Sequence, residues 1–257
     1  ASSGGSKVTT ISTTATGNKT YYAHWTANKY LVTFDNQSAT SPGTASINAT
    51  YGSTMPSITP PTRKGYTFGG YFSSTNGNGT QYYYASGSGY RTCYLTSPIT
   101  LYAKWTVKKP TITLDNQGAT TAGTETVEAT YGEDLQTITV PTKTGYTFGG
   151  YYTGTNGSGT QYYFDDGTGV MRSDFEVATT LYAKWTVNTY TVTLNQQSAT
   201  TDGTKSVNVN YGSAMPSITL PKRTGYTFGG FYTSTSGSGT KYYNANGSSA
   251  RTYTLTS

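Results

Sequence analysis

The sequence predicts a mainly β protein, α+β at most, built as a tandem array of three compact repeats of about 80 residues. The motif GYTFGG begins at Gly65, Gly145 and Gly225, so neighbouring copies start 80 residues apart. Around each copy, apolar and polar residues alternate with a period of two, which is typical of half-buried strands. Segments rich in Gly, Ser, Asn and Thr separate these alternating stretches and predict turns.

The same period sets the limits of the repeats. All tryptophans occupy one position of the pattern: Trp25, Trp105 and Trp185. The predicted parts are an arm and three repeats: residues 1–26, 27–106 (repeat 1), 107–186 (repeat 2) and 187–257 (repeat 3). The arm ends in TYYAHWT and so carries the final strand of a preceding or neighbouring repeat. Repeat 3 lacks a counterpart of that strand.

Repeat 3 illustrates the first elements in chain order. Residues 189–197 alternate, and residues 205–212 alternate again with Val207, Val209 and Tyr211 on one face, so the two segments predict a hairpin with that face inward. Residues 213–225 contain two prolines in a short span. Proline disfavours helix interiors and central strands, which predicts a crossing segment with at most one helical turn.

The later elements are again extended. Residues 226–233 alternate with Tyr226 and Phe228 on the core side, and the Gly229–Gly230 pair predicts a bulge or a close backbone approach. A short strand is expected at residues 241–244. The final strand of a complete repeat places three residues on one face: Leu101, Ala103 and Trp105. In the arm the same face is formed by the candidate assembly strand: Tyr21, Ala23 and Trp25.

Charge and composition narrow the possible functions. The net charge is +6, but repeats 1 and 3 each carry +4, repeat 2 carries −4 and the arm +2. Because nucleic-acid binding needs clustered cations on one surface, no nucleic-acid partner is expected. No apolar run is long enough to span a bilayer, so membrane insertion is not expected. The single cysteine, Cys93, predicts no disulfide framework.

The sequence offers little catalytic chemistry. His24 is the only histidine, and neither a catalytic triad nor a histidine metal cluster can be built around one residue. Repeat 2 alone has a group of acids: Asp165, Asp166, Asp174 and Glu176. They indicate a solvated turn, with a weak calcium site as the alternative. We therefore expect no catalytic, cofactor-binding or metal residues, no cofactor and no enzyme activity.

Tyrosine clusters beside Gly-rich loops are candidate ligand-facing aromatics, because aromatic rings stack on sugar rings. Strand alternation would turn only every second tyrosine outward. The candidates come in one pair for each repeat: Tyr82 and Tyr83, Tyr162 and Tyr163, Tyr242 and Tyr243.

The ordered motifs YxVTxxNQ, YGSxMPSIT, GYTFGGYY and LYAKWT cover essentially the whole chain. Together they resemble the Listeria–Bacteroides repeat, also called the InlB B-repeat. The resemblance implies a secreted or surface-anchored bacterial protein and a compact β-grasp fold. It also implies one helix per repeat, near residues 53–60, 133–140 and 213–220, and it supplies no catalytic residues.

These observations predict a non-enzymatic structural protein of the bacterial cell surface, forming a fibre, filament or stalk. Two explanations of the incomplete repeat 3 remain open. The chain is cut from a longer array, with flanking repeats as partners, or residues 20–26 of another copy complete repeat 3 by donor-strand complementation and build a head-to-tail homopolymer. The alternative function is an adhesin that binds glycan or a host surface protein through its tyrosine-rich loops.

Overall fold

The computed structural model describes residues 7–256 and divides the chain into two units, residues 1–106 and 107–257. The first unit holds the arm and repeat 1, and the second holds repeats 2 and 3. Residues 7–26 of the arm form no regular strand and are exposed.

Repeat 1 folds as one five-stranded sheet. Its strands are β1 (Lys29–Asp35), β2 (Ser46–Thr50), β3 (Tyr66–Phe72), β4 (Gln81–Tyr83) and β5 (Ile99–Val107). Their spatial order is β2-β1-β5-β3-β4, with β1 antiparallel to β2 and parallel to β5. The last strand in sequence is therefore central in space, and its neighbour is the first strand.

Repeat 2 has the same sheet within the second unit. Its strands are β6 (Thr111–Asp115), β7 (Thr126–Glu128), β8 (Tyr146–Tyr152), β9 (Gln161–Tyr163) and β10 (Thr179–Val187). The order is β7-β6-β10-β8-β9, with β10 parallel to β6 and antiparallel to β8. This strand order confirms the predicted mainly β, β-grasp-like fold.

The helix that the resemblance implied does not form. Among residues 7–256 the only helical elements are three short 3-10 turns: Thr75–Gly77, Thr155–Gly157 and Thr235–Gly237. The expected helix segments instead run without regular structure and bury apolar side chains: Met55 and Ile58 in repeat 1, Ile138 in repeat 2 and Met215 in repeat 3. Pro56 and Pro216 fall within two of these segments, and proline is poorly tolerated inside a helix.

Repeat 3 differs, because it forms two separate two-stranded sheets. One pairs β11 (Thr189–Thr193) with β12 (Ser206–Asn210), which confirms the predicted hairpin. The other pairs β13 (Phe231–Tyr232) with β14 (Lys241–Tyr243). The strand predicted over residues 226–233 was wrong in extent, because it shortens to two residues where no central strand lies beside it.

Two predicted core residues of repeat 3 lie elsewhere. Tyr226 is 68% exposed, so its assignment to the core side was wrong. Tyr211 follows the last residue of β12 and is half-buried, and its ring contacts Gly145 of repeat 2 rather than the core of its own repeat. Neither residue lies in the core of repeat 3.

Candidate functional site

The central strand of repeat 2 shows what a complete repeat holds at its centre. Leu181 and Ala183 on β10 are buried, at 0% and 2% exposure. Trp185 donates its indole Nε1–H to the backbone oxygen of Asn116 at 3.0 Å, and its ring lies 5.4 Å from that of Phe148. Leu101, Ala103 and Trp105 occupy the equivalent places in repeat 1, as the alternation predicts.

Asn116 has a second partner in the same core. The hydroxyl of Tyr151 donates a short hydrogen bond to the side-chain oxygen Oδ1 of Asn116. Burial, with a smaller contribution from the negative charge of Asp115, raises the pKa of Tyr151 well above its ordinary value. The buried tyrosine therefore remains a neutral hydrogen-bond donor over the physiological pH range.

In repeat 3 the equivalent position is an open groove between β11 and β13. It contains two neighbouring cavities of about 540 and 610 Å³, which share Asn195, Gln197, Gly230 and Phe231 in their walls. A groove of this size is wide enough for several side chains of an added strand. We call it the repeat 3 groove.

The larger cavity is lined by the counterparts of the residues that surround Trp185 in repeat 2. In repeat 2, Trp185 contacts Asn116 and Phe148, and Lys143 Nζ lies 5.8 Å from its ring centroid. The residues 80 positions later line the larger cavity: Gln196, Phe228 and Arg223. The backbone acceptor, the aromatic wall and the cation of the tryptophan site are thus all repeated, without a tryptophan between them.

The smaller cavity matches the site of Leu181 and Ala183. In repeat 2, β10 pairs with β6 in a register that places Leu181 opposite Leu114. The residue 80 positions after Leu114 is Leu194, which lines the smaller cavity together with Val192, Met215 and Phe231. This part of the groove therefore presents the apolar floor on which the central strand packs in repeat 2.

Two glycines beside the central strand of repeat 2 also have open counterparts in repeat 3. In repeat 2, Gly149 and Gly157 lie beneath the Lys184 side chain, and a Cβ added to Gly157 would come within 2.6 Å of Lys184 Cδ. Their equivalents in repeat 3 are Gly229, which has no atom near its missing Cβ, and Gly237, whose nearest neighbour is 3.9 Å away. The space that the Lys184 side chain fills in repeat 2 is therefore open in repeat 3.

One buried pair changes in repeat 3. The tyrosine that binds Asn116 is replaced by Phe231, which has no hydroxyl, and the asparagine is replaced by Gln196. Gln196 directs its amide to the backbone instead, because Gly203 N donates to its Oε1 at 2.7 Å and its Nε2 donates to the Gly203 oxygen at 3.2 Å. Repeat 3 therefore lacks the tyrosine hydroxyl that donates in repeat 2, and its Gln196 side chain is bonded to the backbone instead. The two changes together leave the groove more apolar.

The predicted assembly strand is open to solvent. Tyr21 is 52% exposed, Trp25 is 88% exposed, and Ala23 lies between them on exposed chain without regular structure. Its neighbour His24 is exposed as well. A tryptophan exposed to this degree is unusual, because indole rings generally bury most of their surface.

The predicted ligand-facing tyrosines lie mostly in the core. Tyr83, Tyr163 and Tyr243 are fully buried, and Tyr162 and Tyr242 are at most 9% exposed. A ligand-facing role is therefore wrong for these five, because each short strand turns them towards packed neighbours. Burial raises the pKa of Tyr163 to about 12. Tyr82 is half-buried beneath the guanidinium of Arg91.

Sequence reasoning missed a different set of tyrosines in repeat 1. Tyr84 and Tyr90 are 47% and 45% exposed, and their ring centroids lie 4.9 Å apart. Tyr94 is 68% exposed and packs its ring edge to face with that of Tyr51 at 5.7 Å. Their equivalents in repeat 3 are Asn244, Ala250 and Thr254, so comparison of the repeats would have found them.

Three of the four acids that the sequence analysis singled out in repeat 2 have partners within the protein, and the fourth, Asp165, is exposed. Asp166 accepts hydrogen bonds from Thr168 across its own turn, which lowers the pKa of this carboxyl. Asp174 accepts the Tyr162 hydroxyl at 2.6 Å, and Glu176 forms an ion pair with Lys108 at 2.9 Å. Within the described range 7–256, no three His, Cys, Asp or Glu residues cluster closely enough to hold a metal ion.

Comparison with known families decides the relationship. The model of the Listeria-Bacteroides repeat domain matches three times, at residues 30–104, 111–184 and 190–256. The chain belongs to the Listeria-Bacteroides repeat family. The matches cover most of the chain, and the resemblance of the motifs is thereby confirmed.

Individual relatives are much longer than this chain. It is 30% identical over 222 residues to a protein of Evansella cellulosilytica provisionally named a Gly-rich membrane protein, covering 83% of this chain and 23% of that protein. It is 38% identical over 130 residues to Internalin H of Listeria monocytogenes, covering 51% of this chain and 21% of that protein. The chain thus spans about a quarter or less of these two relatives. No solved structure matches.

The relative from Evansella cellulosilytica is named as a membrane protein. Among residues 7–256 of this chain, none of the helical turns has the length and apolar character that a bilayer crossing requires.

Proposed function

We propose that this chain is a non-enzymatic structural segment of a bacterial surface protein, located outside the cell, which acts as a fibre or stalk of tandem repeats. The observation that carries the proposal is the repetition of one small β unit with almost no connecting chain. Strand β10 ends at Val187 and β11 begins at Thr189, so a single residue links repeats 2 and 3. A spacer benefits from such short links, because they limit the freedom of each repeat relative to the next.

The chemistry of the chain supports a structural role. The core of each repeat consists mainly of apolar and tyrosine side chains. In repeats 1 and 2 the hydroxyls of Tyr71 and Tyr151 bond to asparagines within the core. In repeat 2, Asp166 is bonded within its own turn, Asp174 to a tyrosine and Glu176 to a lysine. The membrane-protein name of the Evansella relative favours a location at the cell envelope.

The finer proposal concerns the repeat 3 groove. Residues 20–26 of a second copy enter the groove as its central strand, with Trp25 in the larger cavity and Ala23 and Tyr21 over the smaller one. The indole of Trp25 then donates to the backbone oxygen of Gln196, as Trp185 does to Asn116. Insertion pairs the exposed backbone edges of β11 and β13 and covers the apolar floor, which are the two gains of strand addition.

The same groove also fits a strand of this pattern that follows in a longer protein. The test therefore compares chain 1–257 with a variant that lacks residues 1–26, by light scattering and negative-stain microscopy. We expect filaments from the full chain and monomers from the truncated one. Trp25→Ala should also give monomers, whereas Tyr22→Ala should assemble normally, because the equivalent side chain Tyr182 lies on the opposite face of β10 from Trp185.

Two outcomes would contradict strand exchange between copies. A full chain that stays monomeric at high concentration assigns the groove to a strand later in the same protein and leaves the spacer function in place. Filaments that persist after removal of residues 1–26 place assembly on another surface.

An adhesin is the second candidate, and the exposed tyrosines of repeat 1 favour it. Tyr84 and Tyr90 form a solvent-facing aromatic pair, and the guanidinium of Arg91 lies 5.9 Å from the Tyr90 centroid. Such a surface suits glycan or host-protein binding. A glycan array should then show binding that is lost in Tyr84→Ala and Tyr90→Ala but retained in Tyr226→Ala, and absence of binding by the intact chain would contradict this role.

A further inference from the structure

Repeats 2 and 3 meet at a joint formed by their shared connection. The single linking residue, Asn188, donates its backbone N–H to the Gly145 oxygen at 2.9 Å. Thr147 donates its hydroxyl to the Asn188 side-chain oxygen at 2.6 Å. The linker is therefore bonded to the edge of repeat 2 by both its backbone and its side chain.

The joint is closed by a tyrosine of repeat 3. Tyr211 donates its backbone N–H to the Asn188 oxygen at 2.9 Å, and its ring lies directly on the backbone of Gly145. A Cβ added to Gly145 would come within 2.1 Å of Tyr211 Cγ, so only glycine permits this contact. The ring of Tyr146 meets the Tyr211 ring edge to face at 6.3 Å.

Two halves can be distinguished in this joint. The socket is the Gly–Tyr pair of one repeat, here Gly145 and Tyr146. The knob is the Asn–Tyr pair of the next repeat, here Asn188 and Tyr211. Each half is held by its own repeat: a cation lies over the socket tyrosine, with Lys143 Nζ 4.9 Å from the Tyr146 centroid, and a backbone hydrogen bond joins the two knob residues.

Repeat 3 presents an open copy of the socket. Gly225 has the same left-handed backbone as Gly145, with φ of +81° against +77°, and no atom lies within 4 Å of its missing Cβ. Tyr226 is 68% exposed, and the Arg223 guanidinium lies 4.2 Å from its ring centroid. The socket is thus shaped as in repeat 2 but uncovered.

Repeat 1 presents an exposed copy of the knob. Tyr51 donates its backbone N–H to the Asn28 oxygen at 2.9 Å, the same distance as between Tyr211 and Asn188. Asn28 donates its side-chain Nδ2–H to the Tyr30 hydroxyl at 3.4 Å, as Asn188 does to the Tyr190 hydroxyl. Tyr51 is 45% exposed.

Spacing connects the knob of repeat 1 with the assembly strand. Residues 20–26 precede Asn28 by the same interval that separates residues 180–186 from Asn188. We propose that Gly225 and Tyr226 are a docking socket for the Asn28–Tyr51 knob of a second copy of this chain, closing the joint that strand insertion begins. This inference rests on the strand exchange proposed above, and it adds a second contact that fixes the rotation of one copy on the next.

The test measures self-association of chain 1–257 by sedimentation velocity over a concentration series. Tyr226→Ala and Tyr51→Ala should each weaken association at least tenfold, and the double variant should be no weaker than either alone, because both remove one contact. Tyr226→Phe should associate as the unchanged chain does, since the ring rather than the hydroxyl makes the joint. Tyr84→Ala is the matched control, an exposed tyrosine outside the joint. Far-UV circular dichroism checks that each variant is folded.

The outcomes separate this proposal from strand exchange. If Trp25→Ala abolishes association while Tyr226→Ala and Tyr51→Ala leave it unchanged, strand exchange stands and the joint is overturned. If the unchanged chain is monomeric throughout, both are overturned. If Tyr51→Ala unfolds repeat 1, Tyr226→Ala alone decides, because Tyr226 is exposed and packs on no core.

Discussion

Repeats 2 and 3 have nearly the same sequence pattern but different sheets, and the difference isolates the contribution of one strand. In repeat 2, β10 joins β6 to β8 and a seven-residue strand forms at Tyr146–Tyr152. In repeat 3 no strand lies between β11 and β13, and the equivalent segment keeps only Phe231–Tyr232 as strand. The central strand therefore determines whether its neighbours are strands at all.

The comparison predicts the largest effect for truncation of the central strand. Leu181→Ala removes a fully buried side chain between two strands and should lower the free energy of unfolding of repeat 2 by about 2–5 kcal/mol. Hydrogen exchange of amides in β6 and β8 measures this, and these amides should then approach the exchange rates of β11 and β13. Val177→Ala is the control, because Val177 is 68% exposed just before β10. Equal effects of the two substitutions would contradict the central role of β10.

Alkaline pH should destabilise repeat 2 more than repeat 3. Burial raises the pKa of Tyr163 to about 12 and that of Tyr151 above its ordinary value, so both contribute stability below pH 10 that is lost as pH rises through the folded-state pKa. One pKa unit corresponds to about 1.4 kcal/mol, so these two tyrosines together should cost repeat 2 roughly 3 kcal/mol by pH 11.

Repeat 3 has Phe231 in place of Tyr151, and burial raises the pKa of Tyr243, the counterpart of Tyr163, and of Tyr253. Its loss should be smaller. Tyrosine absorbance at 295 nm followed against circular dichroism over pH 9–12 tests this, and ionisation of all tyrosines, buried ones included, near pH 10 without loss of structure would contradict it.

Alanine substitutions of the two socket glycines should lower the free energy of unfolding by different amounts. Gly145→Ala combines backbone strain with displacement of the Tyr211 ring and should cost about 2–3 kcal/mol. Gly225→Ala has the same strain but meets no atom, and should cost about 1 kcal/mol in the unassembled chain. Urea unfolding of both variants measures the difference. Identical losses would mean that the joint contributes no stability.

The smallest effect is expected for the exchanged core pair. Tyr151→Phe gives repeat 2 the side chain that repeat 3 has at this position. It removes one hydrogen bond and leaves the side-chain Oδ1 of Asn116 unpaired, so it should lower the free energy of unfolding by about 1 kcal/mol. Phe231→Tyr should give no compensating gain, since Gln196 is already bonded to the Gly203 backbone. Thermal unfolding of each variant measures both changes, and a clear gain in Phe231→Tyr would contradict the coupled exchange.

The sequence predicted features that depend on local patterns and failed where partners are distant. Alternation correctly placed Leu101, Ala103 and Trp105 on one face, because strand alternation needs only neighbouring residues. Residues 226–233 alternate just as residues 146–153 do, yet the strand shortens where its partner is missing. No local pattern could reveal this.

The joint was missed for a related reason. Tyr211 continues the alternation of its hairpin, which predicts an inward side chain, but the strand ends one residue earlier and the ring contacts another repeat. The groove, by contrast, was anticipated from the repeat alignment, because the absence of a tryptophan motif in repeat 3 is visible in sequence. Comparison between repeats was thus more informative than any motif alone.

The parallel pairing of the first and last strands has a consequence for how the chain is made. In repeat 1, Val32 pairs with Ile99 and Phe34 with Leu101, so the sheet cannot close until almost the whole repeat has left the ribosome. Contacts between such distant residues also slow folding. Each repeat can therefore complete its sheet only after its last few residues have been synthesised. A chain that is still being synthesised carries one unfinished repeat at the end nearest the ribosome.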